Sequence, residues 1–121
     1  MKKNIFSVTA DSISNVSVLY LNGSLDAHTS IILEEQIQHE INKESYKIIL
    51  DFTNLEYISS AGLGVFMVFV EYLRKNNGDL VFVKVPEKVL NILTLLGFNE
   101  IFHIADSIEV ALKLFEMPDI I

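Results

Sequence analysis

One uncharged run constrains this chain more than anything else in it. It begins small and polar at Ile58-Ser59-Ser60-Ala61-Gly62-Leu63-Gly64 and continues as Val65-Phe66-Met67-Val68-Phe69-Val70, with the next charge at Glu71. Upstream, Lys47 to Phe52 holds the apolar triplet Ile48-Ile49-Leu50, the pattern of a strand covered on both faces. A buried strand, a turn of small residues and an apolar helix therefore form the predicted centre. The run is shorter than the about 20 apolar residues of a membrane span, and serines and glycines interrupt it.

The helix has more apolar surface than a sheet can cover. Leu63, Phe66, Met67, Val70 and Leu73 make one stripe at helical spacing, and Val65, Val68, Phe69 and Tyr72 make a second. One stripe docks on the sheet. The second is expected to be covered mainly by flanking helices, with the first turn near Leu63 left exposed at the rim.

The remaining chain reads as scaffold. Ile5 to Ala10 and Val16 to Leu21 are β-prone runs separated by Asp11 to Asn15, which predicts an antiparallel hairpin. Asn22-Gly23 is expected to break the second strand. Leu25 to Ser30 opens a helix with Asp26 or Thr29 as candidate cap, and Leu33, Ile37 and Ile41 form its buried face. Asn76-Asn77-Gly78 stops the central helix. Leu80 to Val83 reads as a strand, and Pro86 to Gly97 as a helix with the proline in its first position. Ile101 to Ile104 is a short strand. Asp106 and Glu109 have the spacing of an acidic cap to a last helix, whose face is Ile108, Ala111, Leu112 and Phe115 and whose expected end is Pro118. The order β-β-α-β-α-β-α-β-α predicts an α/β fold, a single domain over residues 1–121 with a mixed, largely parallel sheet of four or five strands and about four helices.

Composition narrows the function. Sixteen acidic against nine basic side chains give a formal charge of −7, which argues against nucleic acid and anionic membrane surfaces as partners. There are no cysteines, so thiolate chemistry is excluded. Met1 to Asn4 has a basic pair but no signal-length apolar core behind it, so a cytoplasmic chain is expected.

Chemistry concentrates at the central turn. A strand-to-helix transition leaves backbone N–H groups open, and the helix dipole favours negative charge there, so the turn suits a bound or covalent phosphate. By residue type alone, Ser60 is most simply the helix cap. Gly62 and Gly64 lack a dinucleotide fingerprint, and no Walker lysine follows. No serine-hydrolase elbow is present, and His28, His39 and His103 fall in no motif that supplies a base or a metal site. No cofactor, metal or catalytic set is expected.

At Leu50 to Gly64 the sequence resembles the core motif of bacterial anti-sigma factor antagonists, the STAS domain family. Gly23-Ser24-Leu25-Asp26 and Leu93 to Phe98 followed by Ile101-Phe102 fit the same pattern, so the resemblance covers nearly the whole chain. It implies a non-enzymatic regulator that binds an anti-sigma factor serine kinase and frees a sigma factor. Phosphorylation by that kinase releases the antagonist, and a serine phosphatase resets it. Aligned on Gly62-Leu63-Gly64, the acceptor is Ser60, with Ser59 the alternative. Many members carry aspartate where Ser59 stands and serine where Ala61 stands. Asp26 matches an acidic residue near the acceptor, and Leu63 an apolar position facing the partner. The implied partner surface is thus Asp26, Ser59, Ser60, Ala61, Gly62, Leu63 and Gly64. Two alternatives remain open: a constitutive subunit of a sensory or transporter-associated assembly, and a nucleotide-binding domain. The second apolar stripe would also suit a homodimer.

Overall fold

Residues 5–116 are described by the structure, a computed structural model. Strands β1 (Ser7–Ile13) and β2 (Val16–Leu25) form a hairpin, followed by helix α1 (Ser30–Asn42), β3 (Lys47–Ile58) and α2 (Ser60–Lys75). Then come β4 (Asp79–Val83), α3 (Glu87–Leu95), a single 3₁₀ turn at Phe98–Glu100, β5 (His103–Ala105) and α4 (Ile108–Glu116). The five strands lie in the order β1-β2-β3-β4-β5; β1 runs antiparallel to β2, and the other neighbours are parallel. This is the single α/β domain with a mixed sheet and four helices that the element order predicts.

Parallel neighbours that follow one another in sequence need right-handed crossovers, which put successive connecting helices on one face. Leu33 and Ile37 of α1, Phe66 and Leu73 of α2 and Val89 and Leu93 of α3 accordingly share one core with Leu19, Leu21, Ile48, Leu50, Phe52, Leu80 and Phe82. Four phenylalanines fill its centre, with ring centroids 4.8 Å apart for Phe66 and Phe82 and 4.7 Å for Phe82 and Phe102. Alternation along the strands sends Val16, Val18, Ile49, Val81 and Val83 to the opposite face. There α4 covers them through Ala111, Ile108, Leu112 and Phe115, the predicted face. Each fully buried aliphatic or aromatic side chain contributes about 1.5–3 kcal/mol, so both layers hold the sheet.

Several boundaries differ from expectation. The hairpin turn is only Ser14-Asn15, both at positive φ (54° and 66°), a two-residue mirror-image turn whose twist suits paired strands. Asn22-Gly23 does not end β2. Gly23 sits at φ +94° where the β2–β3 register shifts, and a Cβ there would lie 2.5 Å from the Ile5 carbonyl oxygen. The extra residues at the register shifts belong to β3, which advances from Asp51 to Asn54 while β2 advances from Tyr20 to Asn22, and from Leu55 to Tyr57 while β2 advances from Gly23 to Ser24. β2 carries on to Leu25. Pro86 precedes α3 rather than opening it. Ile101 and Phe102 lie in the turn before β5. The last helix is capped by the Ser107 hydroxyl, which accepts from the Val110 N–H at 3.1 Å, and not by Asp106. Pro118 lies outside the described residues.

Candidate functional site

The register shifts matter because they set which residues of β2 and β3 finish together. Leu25 pairs with Ile58, the last residue of β3, so both strands finish at one height. The Ser59 N–H donates to the Leu25 carbonyl at 2.9 Å, which ties the start of the turn to the end of β2. Ser59 has extended backbone (φ −102°, ψ 173°), and its hydroxyl accepts from the Gly62 N–H at 3.4 Å. Its carbonyl accepts from the Leu63 N–H at 3.0 Å. The cap is therefore Ser59, one residue earlier than residue type predicts.

That shift frees Ser60. It is the first helical residue, exposed, and among the described residues its hydroxyl makes no hydrogen bond. The N–H groups of Ser60 and Ala61 have no acceptor within the helix either, as the first turn of any helix requires. Ala61 and Gly64 are exposed beside it. Gly62 and Leu63 turn inward, and Leu63 is 5% exposed, contrary to the expectation that the rim of the helix would open there. A Cβ on Gly62 would sit 2.8 Å from Leu25 Cγ, so this glycine allows the turn to close onto the end of β2.

The loop after β2 brings Asp26 to the same end. Its carboxylate accepts from the N–H groups of His28 (2.9 Å) and Thr29 (3.0 Å), while the Asp26 N–H donates to the Thr29 hydroxyl at 2.8 Å. That hydroxyl donates to the Ser24 carbonyl at 2.8 Å. The Thr29 N–H holds the Asp26 carboxyl below its ordinary pKa; slight desolvation opposes this, and His28 and the Thr29 hydroxyl reinforce it. Asp26 is thus a fixed negative charge at neutral pH. Thr29 begins α1 without a side-chain cap bond, so its hydroxyl braces the loop instead. The reciprocal Asp-x-x-Thr spacing was the available signal for that brace.

Below Ser60 and Gly64, Met67 (43% exposed), Val68 (66%) and Tyr72 (47%) run along the outer side of α2. Val65 is buried and Phe69 half-buried against the core, so flanking helices cover only part of the second stripe. The open apolar surface therefore lies in the middle of the helix, not at its first turn. The histidines do not converge. His28 lies in the Asp26 loop, His39 is exposed on α1, and His103 approaches Asp79 at 3.6 Å. Among the described residues no group of three metal-ligating side chains comes together, and no helix is long and apolar enough to cross a membrane.

Residues 7–111 match the family model of the STAS domain. The chain is 31% identical over 109 residues, 90% of its length and 94% of the relative's, to BtrV of Bordetella bronchiseptica, whose name assigns it provisionally as an anti-sigma factor antagonist. It superposes with TM-score 0.85 at 25% identity on a Thermotoga maritima protein provisionally named the same way, covering 91% of this chain and 95% of that one. The anti-sigma factor antagonist SpoIIAA in its unphosphorylated form gives TM-score 0.76 at 18% identity, covering 93% and 100%. The phosphorylated form of SpoIIAA, from Bacillus, gives 0.67 at 20%, covering 90% and 97%.

Proposed function

Because this chain belongs to the STAS domain family, we propose that it is an anti-sigma factor antagonist switched by phosphorylation at Ser60. In its unmodified form it binds an anti-sigma factor that is also a serine kinase, and a sigma factor is freed. Phosphorylated, it lets go, and a serine phosphatase restores it. The role is non-enzymatic and cytoplasmic, and residues 1–121 act as one domain.

The observation that carries this reading is the division of labour between the two serines. Ser59 is half-buried and its hydroxyl is engaged in the cap, whereas the Ser60 hydroxyl is exposed and free at a helix N-terminus. A kinase that needs an unencumbered hydroxyl finds it at Ser60. Phosphorylation adds about −1.5 to −2 charge and three acceptor oxygens. The open N–H groups of the first turn and the helix dipole tolerate that charge, so the fold should persist. The cost falls on docking: a dianion beside the charged Asp26 raises the negative potential of the surface that Ser60, Ala61 and Gly64 present. Ser59, Gly62 and Leu63 shape that surface from beneath. Met67, Val68 and Tyr72 extend it with apolar area.

The test is to incubate the chain with its cognate kinase and ATP and map the phosphate by mass spectrometry. Labelling at Ser60, abolished in Ser60→Ala and kept in Ser59→Ala, is expected. Equal labelling of Ser60→Ala and the parent chain would remove Ser60 as acceptor. The apolar outer side of α2 favours one rival, a constitutive assembly subunit. Stable co-purification with a partner, indifferent to ATP, would support that rival.

A further inference from the structure

The two edges of the sheet are built differently. One is β5, three residues long. The other is β1, seven residues with no lysine, proline or bulge, and among the described residues no strand pairs with its outer side. Long, regular edges of this kind pair with other strands unless something blunts them.

Which groups face outward follows from the hairpin. A two-residue mirror-image turn makes its flanking residues, Ile13 and Val16, a hydrogen-bonded pair. Counting back along β1, Asp11, Thr9 and Ser7 then bond to β2, while Val8, Ala10 and Ser12 turn their N–H and C=O groups outward. One contact agrees independently: the Ser12 N–H is taken by the Asp11 carboxylate at 2.8 Å, as befits a donor outside the ladder.

We propose that this edge pairs with the same edge of a second copy, antiparallel about a two-fold axis at Ala10, joining the two sheets into one. This register brings together the most outward groups: Ala10 faces Ala10, and Val8 and Ser12 face each other twice, giving about six main-chain hydrogen bonds. It also sets the Asp11 carboxylate opposite the Thr9 hydroxyl of the second copy, an acceptor against a donor, on both sides of the axis. Moving the axis to Asp11 would oppose two carboxylates, and moving it to Thr9 would lose one hydrogen-bonded pair. Side-chain complementarity thus selects a second copy of this chain over an arbitrary extended peptide. In the dimer the Ser12 N–H passes from Asp11 to the Val8 carbonyl of the second copy. The axis is normal to the sheet, so both helix layers lie on one face and the two Ser60 turns point away from each other. The pairing does not depend on whether Ser60 is phosphorylated.

Sedimentation velocity on the full chain, from low micromolar to submillimolar concentration, is expected to give a monomer–dimer equilibrium. Ala10→Pro should weaken it at least about tenfold, since it removes an outward N–H that β2 does not use, a position where edge strands accept proline. Thr9→Asp opposes carboxylates at both Thr9–Asp11 pairs. It should weaken the dimer by a similar factor at low salt and less at high salt. Circular dichroism checks that each variant is folded, and Thr9→Asp, an exposed substitution, carries the test should the proline disturb the strand. In hydrogen exchange, the Val8 and Ala10 amides should slow as concentration rises. A chain monomeric throughout, a dimer indifferent to both substitutions, or Val8 and Ala10 amides equally protected at the lowest concentration would overturn the proposal.

Discussion

At the end of the sheet where the parallel strands begin, Glu40 of α1 is 3% exposed, yet its oxygens are fully engaged. They accept from the Ser17 hydroxyl at 2.7 Å and Gln36 Nε2 at 2.8 Å, with Lys43 Nζ at 3.4 Å; Ser17 also bonds Ser45 at 2.6 Å. At the opposite end, where those strands finish, the Ser60 hydroxyl and the first N–H groups of α2 stand open. Both ends join a strand to a helix through polar residues. A buried charge must be satisfied within the chain or it destabilises the fold, so the Glu40 carboxylate and its partners are spent on one another. Exposed groups can wait for a partner at little cost because water serves them meanwhile. The difference separates polar groups that hold the molecule together from those available for a second molecule.

The contrast can be broken most directly at Glu40. Glu40→Ala should destabilise the chain by about 2–3 kcal/mol, because Ser17 and Gln36 lose a charged acceptor in a buried site. A thermal melt should show a drop of roughly 10 °C, and a variant melting with the parent would mean that the network is ornamental. Acid sharpens the same point. Burial raises the Glu40 pKa, but the bonds from Ser17 and Gln36 and the Lys43 charge outweigh it, so the folded value lies below the ordinary 4.5. The stabilisation is then complete above about pH 4.5 and is lost as pH falls through the folded value. Glu40→Gln should flatten that acid limb in melts recorded between neutral pH and pH 3.

At the open end the sign reverses, and binding moves more than stability. Ser60→Asp should weaken the complex with the anti-sigma factor at least about tenfold in a titration, while its melting midpoint stays near the parent's. A collapse in stability with unchanged affinity would place Ser60 in the scaffold. Ser59→Ala should cost about 0.5–1 kcal/mol of stability through loss of the cap, at the lower end because the bond is long. Ser60→Ala is the smallest effect, within about 0.5 kcal/mol.

Much of this architecture was legible because hydrophobic period and turn chemistry are local. Ile48-Ile49-Leu50 had to be a strand covered twice, and Leu33, Ile37 and Ile41 had to face a core. What could not be read depended on geometry between segments. Gly23 looks like a strand breaker until β3 is seen beside it, where the pairing carries on to Leu25 because β3 takes up the register shifts. The cap falls on Ser59 rather than Ser60 because its N–H is tied to Leu25, a contact between residues far apart in sequence. Leu63 is inside because Gly62 lets the first helical turn settle on that same leucine. By residue type Asp26 and Ser60 read only as candidate caps; the resemblance to the family motif pointed to them as a site, while their arrangement required the sheet.

The bond from the Ser59 amide to Leu25 also bears on the kind of switch proposed here. It fastens the start of the Ser60 turn to the end of β2, an inner strand of the sheet. Any signal written on Ser60 would be stored as surface potential with the backbone standing still, so the two states would look alike to probes of shape and be told apart by probes of charge. Such a device can be rewritten at the speed of the enzymes that serve it, without waiting for any part of the chain to rearrange.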